Sequence, residues 1–217
     1  MSERVAVVDC GSGNLRSAEK ALVRAARGAG IDRRVAVTAD PDAVRRADRL
    51  VLPGVGAFAE CRDGLARVAG MLDALDEACR AAKPILGICV GMQLLASRGH
   101  EYRVEPGLDW IAGEVQPLKP ADRAAKIPHM GWNRLTPTLA GSRHPLLDGI
   151  GPGAHMYFVH SYHFVPAARA AVLAESDHGG RFVAAIGRDT VVGTQFHPEK
   201  SQQMGQKLLE NFLRWRP

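Results

Sequence analysis

Pro84-Ile85-Leu86-Gly87-Ile88-Cys89-Val90-Gly91-Met92-Gln93-Leu94-Leu95-Ala96 joins a short apolar run to a segment of helical character, and a cysteine stands at the junction. The apolar run suits a buried strand, and Met92–Ala96 reads as helix. Glycines two residues before and after Cys89 leave room for the sharp turn that presents a nucleophile between strand and helix, a pattern usually centred on serine. A thiol placed there sits at the amino end of a helix, where unpaired N–H groups and the macrodipole favour the thiolate. Gly87–Gly91 alone is equally compatible with a cysteine that serves as a small buried hydrophobe.

Outward from this turn, strands and helices alternate. Arg4–Val8 reads as a strand, and Leu15–Arg27 as a helix with Leu15, Ala18, Leu22, Ala25 and Ala26 at helical spacing. Arg34–Val37 is a second strand, followed by a short helix that begins at Pro41 with Asp40 as its cap. Arg49–Leu52 is a third strand ending in Pro53-Gly54-Val55-Gly56, Met71–Ala82 a helix, and Pro84–Ile88 a fourth strand. This order predicts an α/β fold with a mostly parallel central sheet flanked by helices, of flavodoxin-like type. After residue 105 the strand-like segments Ile111–Leu118, Asn133–Thr136, Tyr157–Phe164, Ala171–Ser176, Arg181–Ile186 and Val191–Gln195 predict an antiparallel C-terminal extension. Asp177-His178-Gly179-Gly180 suits a hairpin turn, and a helix from about Gln203 to Trp215 closes the chain. With no repeat, low-complexity tract or linker, residues 1–217 are expected to form one domain. Ligands of open α/β sheets bind at the carboxyl ends of the strands. Asp9-Cys10-Gly11, Pro53–Gly56, Cys89 and the residues after Gln195 all fall at such ends.

The 217 residues, 46% hydrophobic and 24% charged, suffice for a globular core and contain no run of eighteen apolar residues to span a membrane. The amino terminus reads as a first strand and lacks a signal-peptide pattern, so a cytoplasmic location is expected. Cys10, Cys61, Cys79 and Cys89 show neither Cys-x-x-Cys nor zinc spacing, which fits reduced thiols. The net charge of +5 comes from arginines scattered through helices (Arg24, Arg27, Arg45, Arg46, Arg62, Arg67, Arg80), a solvated face and no nucleic-acid site. His155, His160 and His163, spaced by five and three on a strand, alternate between faces and predict no metal site.

Gly193-Thr194-Gln195-Phe196-His197-Pro198-Glu199-Lys200-Ser201 supplies what a thiol nucleophile needs. Pro198 biases His197 toward an extended backbone, in which His197 and Glu199 point to the same side. A carboxylate on one imidazole nitrogen fixes the tautomer and supports the imidazolium, leaving the other nitrogen to exchange a proton with the thiol.

These segments resemble the class I, triad-type glutamine amidotransferases. The resemblance runs through Asp9-Cys10-Gly11-Ser12-Gly13-Asn14-Leu15-Arg16-Ser17, Pro53-Gly54-Val55-Gly56-Ala57-Phe58, Gly87–Gln93, Lys126-Ile127-Pro128-His129-Met130-Gly131-Trp132-Asn133, Tyr157-Phe158-Val159-His160-Ser161-Tyr162 and Gly193–Ser201. Lys126–Asn133 and Tyr157–Tyr162 point to the branch that serves imidazole glycerol phosphate synthase in histidine biosynthesis. The resemblance implies that Cys89 attacks glutamine, that His197 moves the proton and that Glu199 orients His197. It implies oxyanion donors at Val90 and at Val55 or Gly56, and glutamine contacts from Gly56, Gln93, Glu101, His160, Ser161 and Tyr162. A cyclase subunit, a (β/α)8 barrel, is the implied partner, with Asn14, Trp132 and Lys200 facing it. No cofactor, metal, nucleic acid or membrane is implied. Cys10 (usually aromatic), Val90 (more often leucine) and His163 (often tyrosine) depart from the family pattern. Three other readings stay open: a glutaminase serving another synthase, such as that of pyridoxal phosphate; a cysteine hydrolase or peptidase on a related fold; and a non-catalytic regulatory module.

Overall fold

The computed structural model describes residues 2–11, 13–122 and 124–217, so Ser12 of the Asp9–Ser17 segment lies outside the described residues. The amino-terminal half runs β1 (Glu3–Val8), α1 (Leu15–Gly28), β2 (Arg33–Thr38), α2 (Pro41–Arg46), β3 (Arg49–Gly54), α3 (Phe58–Arg67), α4 (Met71–Arg80), β4 (Ile85–Cys89) and α5 (Val90–Gln93). Then come β5 (Arg98–Gly99), β6 (Glu105–Pro106), β7 (Gly113–Pro117), β8 (His129–Arg134), β9 (Thr136–Pro137), α6 (Leu139–Arg143), β10 (His155–His160) and β11 (Tyr162–Pro166). The chain ends with β12 (Val172–Asp177), β13 (Arg181–Arg188), β14 (Val191–Thr194) and α7 (Gln202–Arg214).

The main sheet has the order β2-β1-β3-β4-β14-β13-β12-β9. Neighbours from β2 to β14 pair in parallel and those from β14 to β9 antiparallel, as the alternating and then hairpin-rich sequence predicts. β3 and β4 are buried at every residue, the expected state of central strands covered on both faces. α1 packs through Ala18, Ala21, Leu22, Ala25 and Ala26, which are all buried. Asp40 caps α2 as expected: its Oδ1 accepts from Asp42 N–H at 2.9 Å.

The expected helix over Met92–Ala96 is corrected to a single turn that starts at Val90. The carbonyls that would extend it are taken by another segment. Leu94 O accepts from Leu108 N–H at 2.7 Å, Leu95 O from Trp110 and Ile111 N–H at 3.0 Å, and Ala96 O from Asp109 N–H at 3.0 Å. The single expected strand Tyr157–Phe164 is also corrected, because it breaks at Ser161 into strands of different sheets. β10 pairs with β8, whereas β11 joins a second small sheet of order β11-β7-β5-β6. At the break, Ser161 O accepts from Leu118 N–H at 2.8 Å. The strand expected at Asn133–Thr136 lies mostly earlier, in β8, and α3 and α6 were not expected at all.

The turn after β4 leaves no room for side chains beside the thiol. A Cβ on Gly91 would lie 1.7 Å from Leu52 O. Gly91→Ala is therefore expected to destabilise the fold by about 2–3 kcal/mol through overpacking, read as a lowered thermal midpoint.

Candidate active site

Cys89 ends β4 with φ 54° and ψ −112°, a region an L-residue enters at a cost of order 1–3 kcal/mol. Parallel pairing with β3 on one side and β14 on the other holds it there. The side chain is buried, its S–H donates to Val159 O at 3.8 Å, and its sulfur accepts from Gln195 Nε2 at 3.7 Å.

His197 and Glu199 lie side by side as expected, with His197 Nδ1 donating to Glu199 Oε1 at 2.8 Å and both side chains 2% exposed. The histidine backbone is fixed at both ends. Its N–H donates to Tyr157 O at 2.9 Å, and its carbonyl accepts from Ser201 Oγ at 2.7 Å. Nε2 is buried with no hydrogen-bond partner, on the cavity wall it shares with Cys89. Burial alone would lower the pKa of this imidazole. The sulfur of Cys89 and the carboxylate of Glu199 outweigh burial and raise it to about 9, so at neutral pH the ring carries a proton on both nitrogens.

The cavity, of about 230 Å³, is bounded by Val55, Gly56, Cys89, Val90, Gln93, Glu101, His160, Ser161, Tyr162 and His197. The catalytic, oxyanion and glutamine-contacting residues expected from sequence thus converge on one space, with Glu199 behind His197. Pro128 and Val159 complete the wall and were not expected. Val90 opens α5, where helix geometry leaves backbone N–H groups without an internal acceptor. Val55–Gly56 faces the cavity with Gly56 at φ 84°. Two buried thiols fasten this segment: Cys61 Sγ donates to Val55 O at 3.2 Å, and Cys10 Sγ to Pro53 O at 3.4 Å. Cys10, a departure from the family pattern, therefore has a place in the site's scaffold.

Glu101 Oε2 accepts from Phe58 N–H, the first amide of α3, at 2.7 Å. Burial raises the pKa of Glu101, and the Phe58 N–H offsets part of that rise. Gln93 commits its amide hydrogens to Tyr162 O at 3.1 Å and Gln195 Oε1 at 3.0 Å, which turns Oε1 into its remaining contact group. His160 spends both ring nitrogens on protein, Nδ1 on Tyr162 O at 2.8 Å and Nε2 on His129 Nδ1 at 2.9 Å. It therefore offers a ligand a wall and no free nitrogen. Trp132 and Lys200 meet at Tyr157: the Trp132 ring packs edge-on at 5.9 Å and Lys200 Nζ lies 5.7 Å from the ring centre. Trp132 is 46% exposed. Asn14 precedes α1, where its carbonyl accepts from Ser17 and Ala18 N–H at 3.0 Å. Gln195 is the residue that sequence reasoning passed over. It lies in the Gly193–Ser201 segment, but its full burial beside the sulfur depends on the pairing of β14 with β4.

Residues 6–215 match the family model described as glutamine amidotransferase class-I. The chain belongs to the class-I glutamine amidotransferases. It is 60% identical over 215 residues to the imidazole glycerol phosphate synthase subunit HisH of Rhodospirillum rubrum, covering 99% of this chain and 100% of that one. The subunit of the same name from Bradyrhizobium diazoefficiens is 55% identical over 217 residues, covering 98% and 99%. A solved structure described as a glutamine amidotransferase superposes with a TM-score of 0.71 at 19% identity, covering 96% of each chain. PurLQS from Thermotoga maritima gives 0.70 at 19% identity, covering 98% of each. These two structures bear on the fold, which is that of the family. Among the described residues no helix is long and apolar enough to cross a membrane.

Because the His197 pKa is raised on folding, the interaction stabilises the native chain fully below the ordinary value of 6.5 and is lost as pH rises through about 9. NMR titration of His197 should find its midpoint near 9, and Glu199→Gln should move that midpoint downward by removing the carboxylate that holds the imidazolium.

Proposed function

We propose that this chain is the glutaminase subunit of an imidazole glycerol phosphate synthase, acting in the cytoplasm as one catalytic domain. The observation that carries the proposal is the buried Cys89–His197–Glu199 arrangement on the wall of a cavity whose lining offers groups suited to glutamine. Full-length identity of 53–60% to subunits of that name supports the choice of synthase.

In this reading the Cys89 proton rests on His197 Nε2, the thiolate attacks the side-chain amide carbon of glutamine, and the carbonyl oxygen becomes an oxyanion between the amides of Val90 and Val55–Gly56. One such donor is worth about 3–4 kcal/mol of barrier. His197 gives its Nε2 proton to the amide nitrogen, the C–N bond breaks and ammonia leaves a γ-glutamyl thioester. Water then attacks the thioester carbon and gives a proton to His197. The second tetrahedral intermediate collapses to glutamate and the Cys89 thiolate beside the re-formed His197 imidazolium, with Glu199 holding the imidazole throughout. Glu101 and Gln93 Oε1, both acceptors, suit the α-ammonium group of the substrate. Ser161 and Tyr162 border the same space.

Ammonia passes to a cyclase subunit that forms imidazole glycerol phosphate and aminoimidazole carboxamide ribotide. Ile127, Met130 and Trp132, 43%, 66% and 46% exposed, give the surface near the cavity wall an apolar character suited to a protein partner, with Lys200 beside it and Asn14 at the head of α1. Glycine at position 56 lets the Val55–Gly56 peptide turn, which makes this loop the place where the partner controls the oxyanion site.

The deciding experiment measures glutamate release from glutamine with and without a (β/α)8 cyclase subunit and its nucleotide ligand. Strong stimulation by the cyclase is expected, with activity abolished by Cys89→Ala. Activity that depends on Cys89 and ignores the cyclase would reassign the chain to another synthase, and absence of activity under all conditions would favour a regulatory role. Glu101→Gln is expected to raise KM for glutamine about tenfold with little change in kcat, the worth of one charge-assisted hydrogen bond, read from steady-state kinetics.

A further inference from the structure

A continuous hydrogen-bonded network leads from β8 to the nucleophile, and its donors and acceptors can be assigned at every step. The carbonyl of Tyr162 only accepts, so His160 Nδ1, 2.8 Å away, carries a proton. In a neutral ring that leaves His160 Nε2 as an acceptor, so His129 Nδ1, 2.9 Å away, is the donor. His129 Nε2 is then an acceptor in turn, and Asn133 Nδ2 donates to it at 3.2 Å. The second hydrogen of Asn133 Nδ2 goes to Asp177 O at 2.7 Å, and its Oδ1 accepts from Arg134 N–H at 2.7 Å, so its amide orientation is fixed.

From the other side, Tyr162 O also accepts from Gln93 Nε2, whose other hydrogen goes to Gln195 Oε1. This orients the Gln195 amide with its Nε2 toward the Cys89 sulfur at 3.7 Å. His129, His160, Gln93 and Gln195 are all buried. Aromatic rings pack on His129: it stacks on Phe158 at 5.0 Å and on His178 at 4.1 Å, Phe182 lies edge-on at 5.3 Å, and His178 and His163 are the titratable neighbours of the pair. Burial, assisted by the neighbouring histidines, pushes His129 down to about 4 and His160 down to about 3, which keeps both rings neutral as the hydrogen-bond directions require.

We propose that Gln195 is a positioning residue for the nucleophile, an amide donor aimed at the Cys89 sulfur and held in that orientation by Gln93, Tyr162 O and a neutral His160–His129–Asn133 relay. The role rests on Cys89 being the nucleophile. A donor at this place stabilises negative charge on sulfur without moving any proton. Its orientation is set by groups that touch neither substrate nor sulfur.

Two measurements test it. In the unmodified chain, long-range ¹H–¹⁵N spectra of labelled histidine should show His129 and His160 both as neutral Nδ1–H tautomers, and still so at about pH 5, below the ordinary histidine range. A ring found as the Nε2–H tautomer, or protonated near pH 6, would overturn the relay. The second measurement uses Gln195→Glu, which preserves shape and the acceptor for Gln93 but replaces the donor at sulfur with an oxygen. Alkylation of Cys89 by iodoacetamide at pH 7, followed by peptide mass mapping, should slow about tenfold, the worth of a hydrogen bond to an ionised group, and kcat should fall with it while KM for glutamine stays nearly constant. Gln195→Met, which removes the donor without adding charge, should slow alkylation in the same direction and serves if the glutamate variant does not fold. Wild-type alkylation in either folded variant would overturn the proposal. The two ideas fail separately: an active Cys89→Ala chain would remove the nucleophile assignment, whereas an inactive Cys89→Ala chain beside an unaffected Gln195→Glu chain would remove only the role of Gln195.

Discussion

The parallel pairing of β4 with β14 is the constraint on which the site depends. Ile85, Leu86, Gly87 and Ile88 stand opposite Val191, Val192, Gly193 and Thr194, so Cys89 and Gln195, 106 positions apart in sequence, leave the sheet at the same level. Gln195 is thereby set beside the sulfur, and His197, two residues further, reaches the same cavity after the chain has left the strand. A shift of this register by one residue would turn the inward set outward and remove both groups from the thiol. Gly91 completes the constraint from the other side, because its contact with Leu52 O brings the first turn of α5 hard against β3 and fixes where Val90 N–H can point.

On and behind the wall of the same cavity, the protein treats three buried histidines in opposite ways. His197 is flanked by a carboxylate and a sulfur, and its pKa rises despite burial. His160 and His129 are flanked by a carbonyl, an amide and each other, so burial prevails and the rings stay neutral. Burial is common to all three, and the partner decides the sign. The division separates a group able to move a proton from groups that only hold their neighbours in place. A neutral pair that titrated in the working range would let the Gln93–Gln195 amides reorient, and the sulfur would lose its donor.

How much of this is legible in the sequence follows from the range of each interaction. Cys89 between glycines and His197-Pro198-Glu199 are local patterns whose geometry is fixed by the backbone within five residues, and both can be read directly. The alternation of apolar strands and helices likewise fixes the parallel half of the sheet. α3 escapes because Gly64 sits in its interior, a residue that weakens helix propensity. Its reason is distant: a Cβ there would lie 1.7 Å from Cys10 O. The break at Ser161 escapes because alternation continues through it, and only the change of partner from β8 to β7 reveals two strands. The shortened α5 belongs to the same class, since carbonyls 94–96 are claimed by residues 108–111. Gln195 and His129 read as ordinary polar positions in strand-like segments until the tertiary fold supplies their neighbours.

β8 shows how an exposed apolar surface and the buried scaffold of the cavity share one strand. Successive side chains point to opposite faces, and His129, Gly131 and Asn133 fall on the inner side while Met130, Trp132 and Arg134 are exposed. The inner set continues through His160 to Tyr162 O, and the outer set includes the Trp132 that packs on Tyr157. Tyr157 O in turn accepts from His197 N–H. The strand that carries the exposed tryptophan is thus hydrogen-bonded to one wall of the cavity through its buried face. Its pairing partner β10 anchors the backbone of His197. β8 is joined inward by hydrogen bonds along two paths, one reaching Gln195 and one reaching the backbone of His197.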